Sequence, residues 1–264
     1  GRKRVTYCNV ETSCGHDAFL LPHDVERYGR LVEGFLARLS DVPAAPPTPE
    51  ADNHHPTSIF HSDRLDYDLI AELIPPHLSV LDLGCGPGGL LERLSRRAHG
   101  ALAGVELDER SVIEAARRGL DVIHADLNDG LPMFDDRQFD LVVLSRTLQA
   151  IRHVERVVGE MLRVGRRCIV SFPNFGYFKL REMLCSGGRA PLSGQLHYQW
   201  YDSPNIRFLT IADFEDFCEA KSITVHERIA LDTEANRPVT DEPNRNADLA
   251  IFVISAEESG AKGT

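Results

Sequence analysis

Residues 80–90 read VLDLGCGPGGL, a short apolar run that enters a glycine-rich turn and leaves it as a helix. Gly84, Gly86 and Gly88 let the backbone approach a ligand closely and adopt turn conformations that side chains block. In an α/β sheet such a turn lies at the carboxyl end of a strand, where ligands bind. A dinucleotide fingerprint, G-x-G-x-x-G, leaves two residues between its second and third glycines and seats a pyrophosphate on the helix N-terminus. Here Pro87 alone separates Gly86 from Gly88, and Asp82 stands two residues before Gly84. A carboxylate there is poorly placed for a pyrophosphate and well suited to a cationic ligand. A plain tight turn without a ligand is the alternative.

Outward from this turn, the pattern alternates strand and helix. Strands are expected over 79–83, 102–106, 121–125, 139–145, 167–172, 223–229 and 249–255, and helices over 64–74, 88–97, 109–117, 153–164 and 211–220. Runs such as VVL and CIVSF are apolar at both parities, as strands buried on two faces must be. The fold class is α/β: a doubly wound, mostly parallel, seven-stranded sheet.

Before that unit, prolines 43, 46, 47, 49 and 56 interrupt residues 41–59 and exclude a helix or ladder strand, so this segment is a semi-extended linker. Residues 1–40 hold one strand pattern near Val5–Val10 and one amphipathic helix pattern from Val25 to Leu39, too little for an independent core. With Gly1 in place of an initiator methionine, the chain is expected to be a piece of something longer. Residues 60–257 form the main domain and 258–264 a frayed tail.

The 264-residue composition, 42% hydrophobic and 26% charged, is that of a globular protein. Its net charge of −11 argues against a general nucleic-acid binder, which needs a basic face. No apolar run approaches the ~18–20 residues of a membrane span, and a cytoplasmic location with no membrane partner is expected. Six scattered cysteines without a C-x-x-C pair point to neither a disulfide framework nor a metal site.

The glycine segment resembles the first motif of class I S-adenosylmethionine-dependent methyltransferases, whose fold is Rossmann-like. The resemblance implies that Asp82, Gly84, Gly86 and Gly88 surround the methionine part of S-adenosylmethionine or S-adenosylhomocysteine. Glu106, ending ALAGVE, would take the ribose hydroxyls, Asp126 in HADL the adenine amino group, and Leu127 and Ser145 would complete the site. A solvated strand end for Glu106 and an ordinary turn acid for Asp126 are the bland alternatives. Where many such enzymes carry a histidine after the fourth strand, this chain has Ala150. Asn174, ending SFPN, either binds a polar ligand group or caps the following turn. The aromatic-rich insert between Phe175 and Phe208 is a lid, a partner surface or a peripheral packing element, with His197 more structural than catalytic. Arg163, Arg166 and Arg167 read as a solvated turn.

A closer resemblance rests on VLDLGCG, VVLSRTLQAI, EMLRVGRRCIVSFPNFGYF and YQWYDSPNIRFLTIADFEDFC, which are similar to the methionine-biosynthesis family MetW. That resemblance implies a partner role toward homoserine O-acetyltransferase, in cis or in trans, with methyl transfer to an unknown acceptor as the alternative. YCNVETSCGHDAFLLPHDVERYGRLVEGFL looks like the carboxyl-terminal end of such an acetyltransferase, an α/β-hydrolase. By that match His16 is the triad histidine, an orphan because no G-x-S-x-G nucleophile elbow occurs in this sequence.

Overall fold

The computed structural model describes residues 7, 8, 29, 30, 65–97 and 100–257. The linker, the frayed tail and His16 lie outside the described residues. Among those described, the strands are β1 (Tyr7–Cys8), β2 (Val80–Leu83), β3 (Leu102–Glu106), β4 (Val122–His124), β5 (Phe139–Ser145), β6 (Gly165–Pro173), β7 (Ile223–Asp232), β8 (Arg237–Pro238) and β9 (Leu249–Ala256). The helices are α1 (Leu65–Leu73), α2 (Gly89–Ser95), α3 (Glu109–Arg117), α4 (Val154–Val164), α5 (Phe178–Gly187), α6 (Ile211–Ala220) and α7 (Pro243–Asn246).

The strands form one sheet in the order β1-β4-β3-β2-β5-β6-β9-β7-β8. The seven expected strands are its body, and two-residue strands extend both edges. Strands β2 to β6 pair in parallel, and β9 runs antiparallel between β6 and β7. At the first edge, Tyr7 and Cys8 pair in parallel with Ile123 and His124.

Alternation along the central strands separates two cores. Val142 and Leu144 of β5, with Cys168, Val170 and Phe172 of β6, face a cluster that includes Val157 and Met161 of α4 and Phe214 of α6. Leu141, Val143 and Ile169 face the opposite side, against Ile70 of α1 and Leu90 and Leu94 of α2. Both parities are buried, which is why these strands read as continuous apolar runs.

Local chemistry fixes the helix starts. Asp108 caps α3 by accepting from Ser111 N at 2.9 Å. Thr210 and Asp213 form a reciprocal capping box at the start of α6. The structure corrects the expected turn at 163–167: α4 runs into β6 without a turn, and Arg163 is no solvated bystander. Its guanidinium donates to the carbonyls of Leu131 at 2.9 Å and Phe134 at 3.0 Å, and to Glu160 and Asp136. It thereby ties the loop before β5 to α4.

Candidate functional site

The chain leaves β2 through three left-handed glycines, with φ of 68° at Gly84, 54° at Gly86 and 86° at Gly88. The loop is anchored to the neighbouring strand, since Gly84 N and Cys85 N both donate to Val105 O, at 2.8 and 3.2 Å. Gly86 N donates to Glu106 Oε2 at 2.7 Å, while Glu106 Oε1 accepts from Leu107 N at 2.7 Å and Asp108 N at 2.8 Å. A carboxylate offers about four acceptor positions. Three backbone donors therefore orient the group and leave Oε2 able to accept one hydroxyl.

This loop borders a cavity of about 840 Å³. Gly84, Gly86 and Pro87 form one wall with Glu106 and Asp108, and Ser145, Arg146, Thr147, Gln149 and Ala150 form another. Tyr67 of α1 and Gln195, His197, Tyr198, Pro204 and Asn205 of the insert close the sides. Of the residues singled out in the sequence, Gly84, Gly86, Glu106 and Ser145 thus meet around one space.

Asp82, Gly88, Asp126 and Leu127 are not among the lining residues. Asp82 and Leu127 are buried. Asp126 Oδ1 accepts from Asn128 N and Nδ2, both at 2.8 Å, and so caps a short turn. Burial, then the charges of Asp82 and Glu106, push the Cys85 thiol well above its usual range. Both carboxylates therefore make their field felt in the middle of the loop.

Contacts around the cavity join residues far apart in the sequence. Ser145 Oγ donates to Asp66 Oδ2 at 3.0 Å and accepts from Ser171 Oγ at 3.1 Å. All three side chains are buried, and they lock α1 to the ends of β5 and β6. Only folding joins Asp66 to Ser145 across 79 positions. The insert is stapled to the cavity rim by Ile206 N and Arg207 N, which donate to Gln149 O at 2.9 and 3.0 Å. His197 stacks beside Tyr198, and burial and the nearby charge of Arg146 lower its pKa from the ordinary value of 6.5. Both effects favour the neutral form of the imidazole.

Asn174 faces protein rather than ligand. Fully buried, its Nδ2 donates to Asn244 O at 3.0 Å and Ala247 O at 2.7 Å, and its Oδ1 accepts from Gly176 N at 2.9 Å and Ile211 N at 3.2 Å. Among the described residues, no group of three or more His, Cys, Asp or Glu is arranged to hold a metal ion. No helix there is long and apolar enough to cross a membrane.

The profile of the family described as methionine biosynthesis protein MetW matches residues 64–254. The chain belongs to the MetW family. It is 40% identical over 269 residues to the bifunctional methionine biosynthesis protein MetXA/MetW of Rhodopirellula baltica, covering 97% of this chain and 41% of that relative. It thus spans about two fifths of the relative's length. Among solved structures, an S-adenosylmethionine-dependent methyltransferase of Thermotoga maritima, titled a possible histamine N-methyltransferase, aligns with a TM-score of 0.52 at 18% identity, over 73% of this chain and 89% of that one. The [4+2]-cyclase SpnF aligns with a TM-score of 0.54 at 18% identity, over 89% of this chain and 96% of that one. These likenesses establish the Rossmann-like fold of class I methyltransferases for the MetW domain. One fold carries both a methyltransferase and a cyclase, so function must be argued from the site.

The residues around the cavity fit S-adenosylmethionine. Gly86 lines the cavity, and no atom lies within 4 Å of where its Cβ would stand. Glu106 can accept a ribose hydroxyl. Glu92, in the first turn of α2, also lines the cavity, where it pairs with Arg96 at 2.7 Å and Arg118 at 3.7 Å.

Proposed function

We propose that the MetW domain binds S-adenosylmethionine or S-adenosylhomocysteine in this cavity and acts in methionine biosynthesis as the regulatory partner of homoserine O-acetyltransferase. The observation that carries the binding half is the Glu106 carboxylate, held by Gly86 N at 2.7 Å beside a glycine wall open to the cavity. Glu106 orients the ribose and Gly86 gives the ligand close access to the backbone. Asp82 adds the negative potential that a sulfonium and an ammonium require, and Ser145 lines the same space, whereas Asp126 and Leu127 do not. S-adenosylmethionine, when bound, would bring an electrophilic methyl group, which S-adenosylhomocysteine has already lost. The protein positions it and excludes water.

The partner half is supported by the relative that joins MetXA and MetW in one chain. Residues 1–40 are then the end of the acetyltransferase domain, with His16 its triad histidine, and residues 41–59 tether it. Such a tether replaces bimolecular association with a high effective concentration. The test is acetyl transfer from acetyl-CoA to homoserine by the complete two-domain protein, compared with forms lacking residues 60–264 or carrying Asp82→Ala. Both changes lower the rate or its response to S-adenosylmethionine. An unchanged rate and stability on removing the domain refutes the partner role.

A second reading, methylation of a small molecule, is favoured by one observation: the imidazole of His197 lines the same cavity as Ala150, and burial favours its neutral form. It offers a proton acceptor where position 150 has none. S-adenosylhomocysteine formed on turnover with a cell extract, and lost in His197→Asn, selects that reading.

A further inference from the structure

Two glutamines beside the cavity carry a buried amide oxygen that accepts nothing. Among the described residues, Gln149 Oε1 and Gln195 Oε1 are buried and receive no hydrogen bond, and both residues line the cavity. Gln149, 6% exposed, belongs to the wall that follows β5. Gln195 belongs to the insert, which is stapled to that wall by Ile206 N and Arg207 N on Gln149 O.

Neither amide can turn round to relieve its oxygen. Gln149 Nε2 donates to Arg146 O at 2.6 Å. A carbonyl only accepts, so the nitrogen must keep that place. Gln195 Nε2 donates to Thr233 Oγ1 at 2.8 Å, and that hydroxyl gives its own proton to the Asp248 carboxylate. Thr233 N donates to the other oxygen of Asp248 at 2.8 Å, so Thr233 is held as well. A buried acceptor without a donor is costly and rare in native proteins. Two of them beside one cavity, each fixed by its own nitrogen, are acceptors prepared for the donors of a ligand. Both oxygens are closed to bulk water while the insert is seated, so the ligand enters before the insert settles over it.

We infer that a small molecule carrying a primary amino group binds at this seam, its N–H groups donating to Gln149 Oε1 and Gln195 Oε1. A hydroxyl has one proton to give and leaves one oxygen unsatisfied, whereas an amine has two and an ammonium three. An ionised carboxylate has none and is repelled by both oxygens. The inference deepens the small-molecule reading by naming its substrate class, and it stands apart from the nucleoside site with which the amine shares the cavity.

Calorimetry on the full chain tests it, with a thermal melt of every variant. S-adenosylhomocysteine is titrated first, and absence of heat refutes the nucleoside site alone. Ethanolamine, 1,4-diaminobutane, 2-phenylethylamine and the standard amino acids are then titrated with and without that compound. Each is paired with the counterpart that carries a hydroxyl in place of the amino group. At least one amine binds saturably, and its hydroxyl counterpart binds about tenfold or more weakly. Gln149→Met and Gln195→Met keep the length of the side chain without its acceptor; each weakens the amine about tenfold, and S-adenosylhomocysteine loses far less. Thr233→Val, which frees the Gln195 nitrogen, also weakens the amine, and Thr233→Ser restores it. Failure of every amine, equal binding of the hydroxyl counterpart or unchanged amine affinity in the two methionine variants overturns the inference. So does S-adenosylhomocysteine affinity that falls as far as the amine's in those variants while they remain folded, because the oxygens then serve the nucleoside's own amino group.

Discussion

Gly86→Ala and Gly88→Ala impose the same backbone demand two residues apart and should produce opposite phenotypes. Both positions are left-handed, with φ of 54° and 86°, and an alanine there costs about 1–2 kcal/mol. Their surroundings differ. A Cβ on Gly86 meets no atom within 4 Å, whereas a Cβ on Gly88 lies 2.1 Å from Leu120 Cδ1. Leu120 cannot swing away freely, because it is packed in a cluster with Cys85, Leu91, Val112, Ala115 and Val122. Overpacking of that kind adds about 1–3 kcal/mol.

Gly86→Ala therefore loses about 1–2 kcal/mol and Gly88→Ala about 2–5 kcal/mol. At ~2–4 °C per kcal/mol for a domain of this size, Gly86→Ala melts within several degrees of the parent and Gly88→Ala well below it. Binding reverses the order. The Gly86 methyl stands in the opening that the ligand must occupy, so affinity for S-adenosylhomocysteine falls by about a hundredfold, the ~3 kcal/mol of a lost close approach with its hydrogen bonds. Gly88 lines no part of the cavity, and whatever fraction of Gly88→Ala is folded binds normally. Thermal melts and calorimetry on the two variants decide the matter. Full affinity in Gly86→Ala would show that the ligand does not lie against this loop.

Glu106→Gln keeps the shape but replaces one acceptor oxygen with a donor next to three backbone N–H groups, so ligand affinity falls about tenfold or more, read by calorimetry. Asn174→Ala strips partners from four buried backbone groups and costs about 2–4 kcal/mol in denaturant unfolding, while affinity of the folded protein is unchanged. Arg163→Met leaves the carbonyls of Leu131 and Phe134 short of a donor and costs about 1–3 kcal/mol. The side-chain bond from Arg163 is also the main cause holding the Glu160 pKa below 4.5. A folded pKa below the unfolded one gives stability that is complete above about 4.5 and lost as pH falls through the depressed value, so unfolding measured from pH 6 downward is less acid-sensitive in Arg163→Met than in the parent.

The body of the fold was legible because its strands and helices obey their periods strictly. The patterns over 102–106, 109–117, 139–145 and 211–220 match β3, α3, β5 and α6 residue for residue. α5 escaped notice for a physical reason: Leu180 is its buried residue, while Met183 and Leu184 are exposed, so no apolar stripe marks it. Arg163 was misread because a run of arginines at a helix end has the composition of a solvated turn, and its carbonyl acceptors lie about 30 residues away. The glycine wall and Glu106 could be picked out because turn geometry and strand ends leave local traces. Asp66 and Arg146 could not, since their roles arise only where distant segments converge, and for the insert composition left a lid as one of three readings.

Strand order explains why the cavity has two walls. β2 pairs in parallel with β3 on one side and β5 on the other, so the chain winds outward through β3 and β4 before returning across β2 to β5. Such a reversal opens a crevice beyond the carboxyl ends of the strands. Residues ending β2 and β3 necessarily meet on one side of it, and there stand the glycine loop and Glu106. The residue following β5 necessarily meets them from the other side, and it is Arg146. Because Gly84 and Cys85 hang from Val105 O while Arg146 hangs from Ser171 of β6, each face is fixed to its own neighbouring strand. The distance between the two walls is therefore set by the sheet rather than by a ligand.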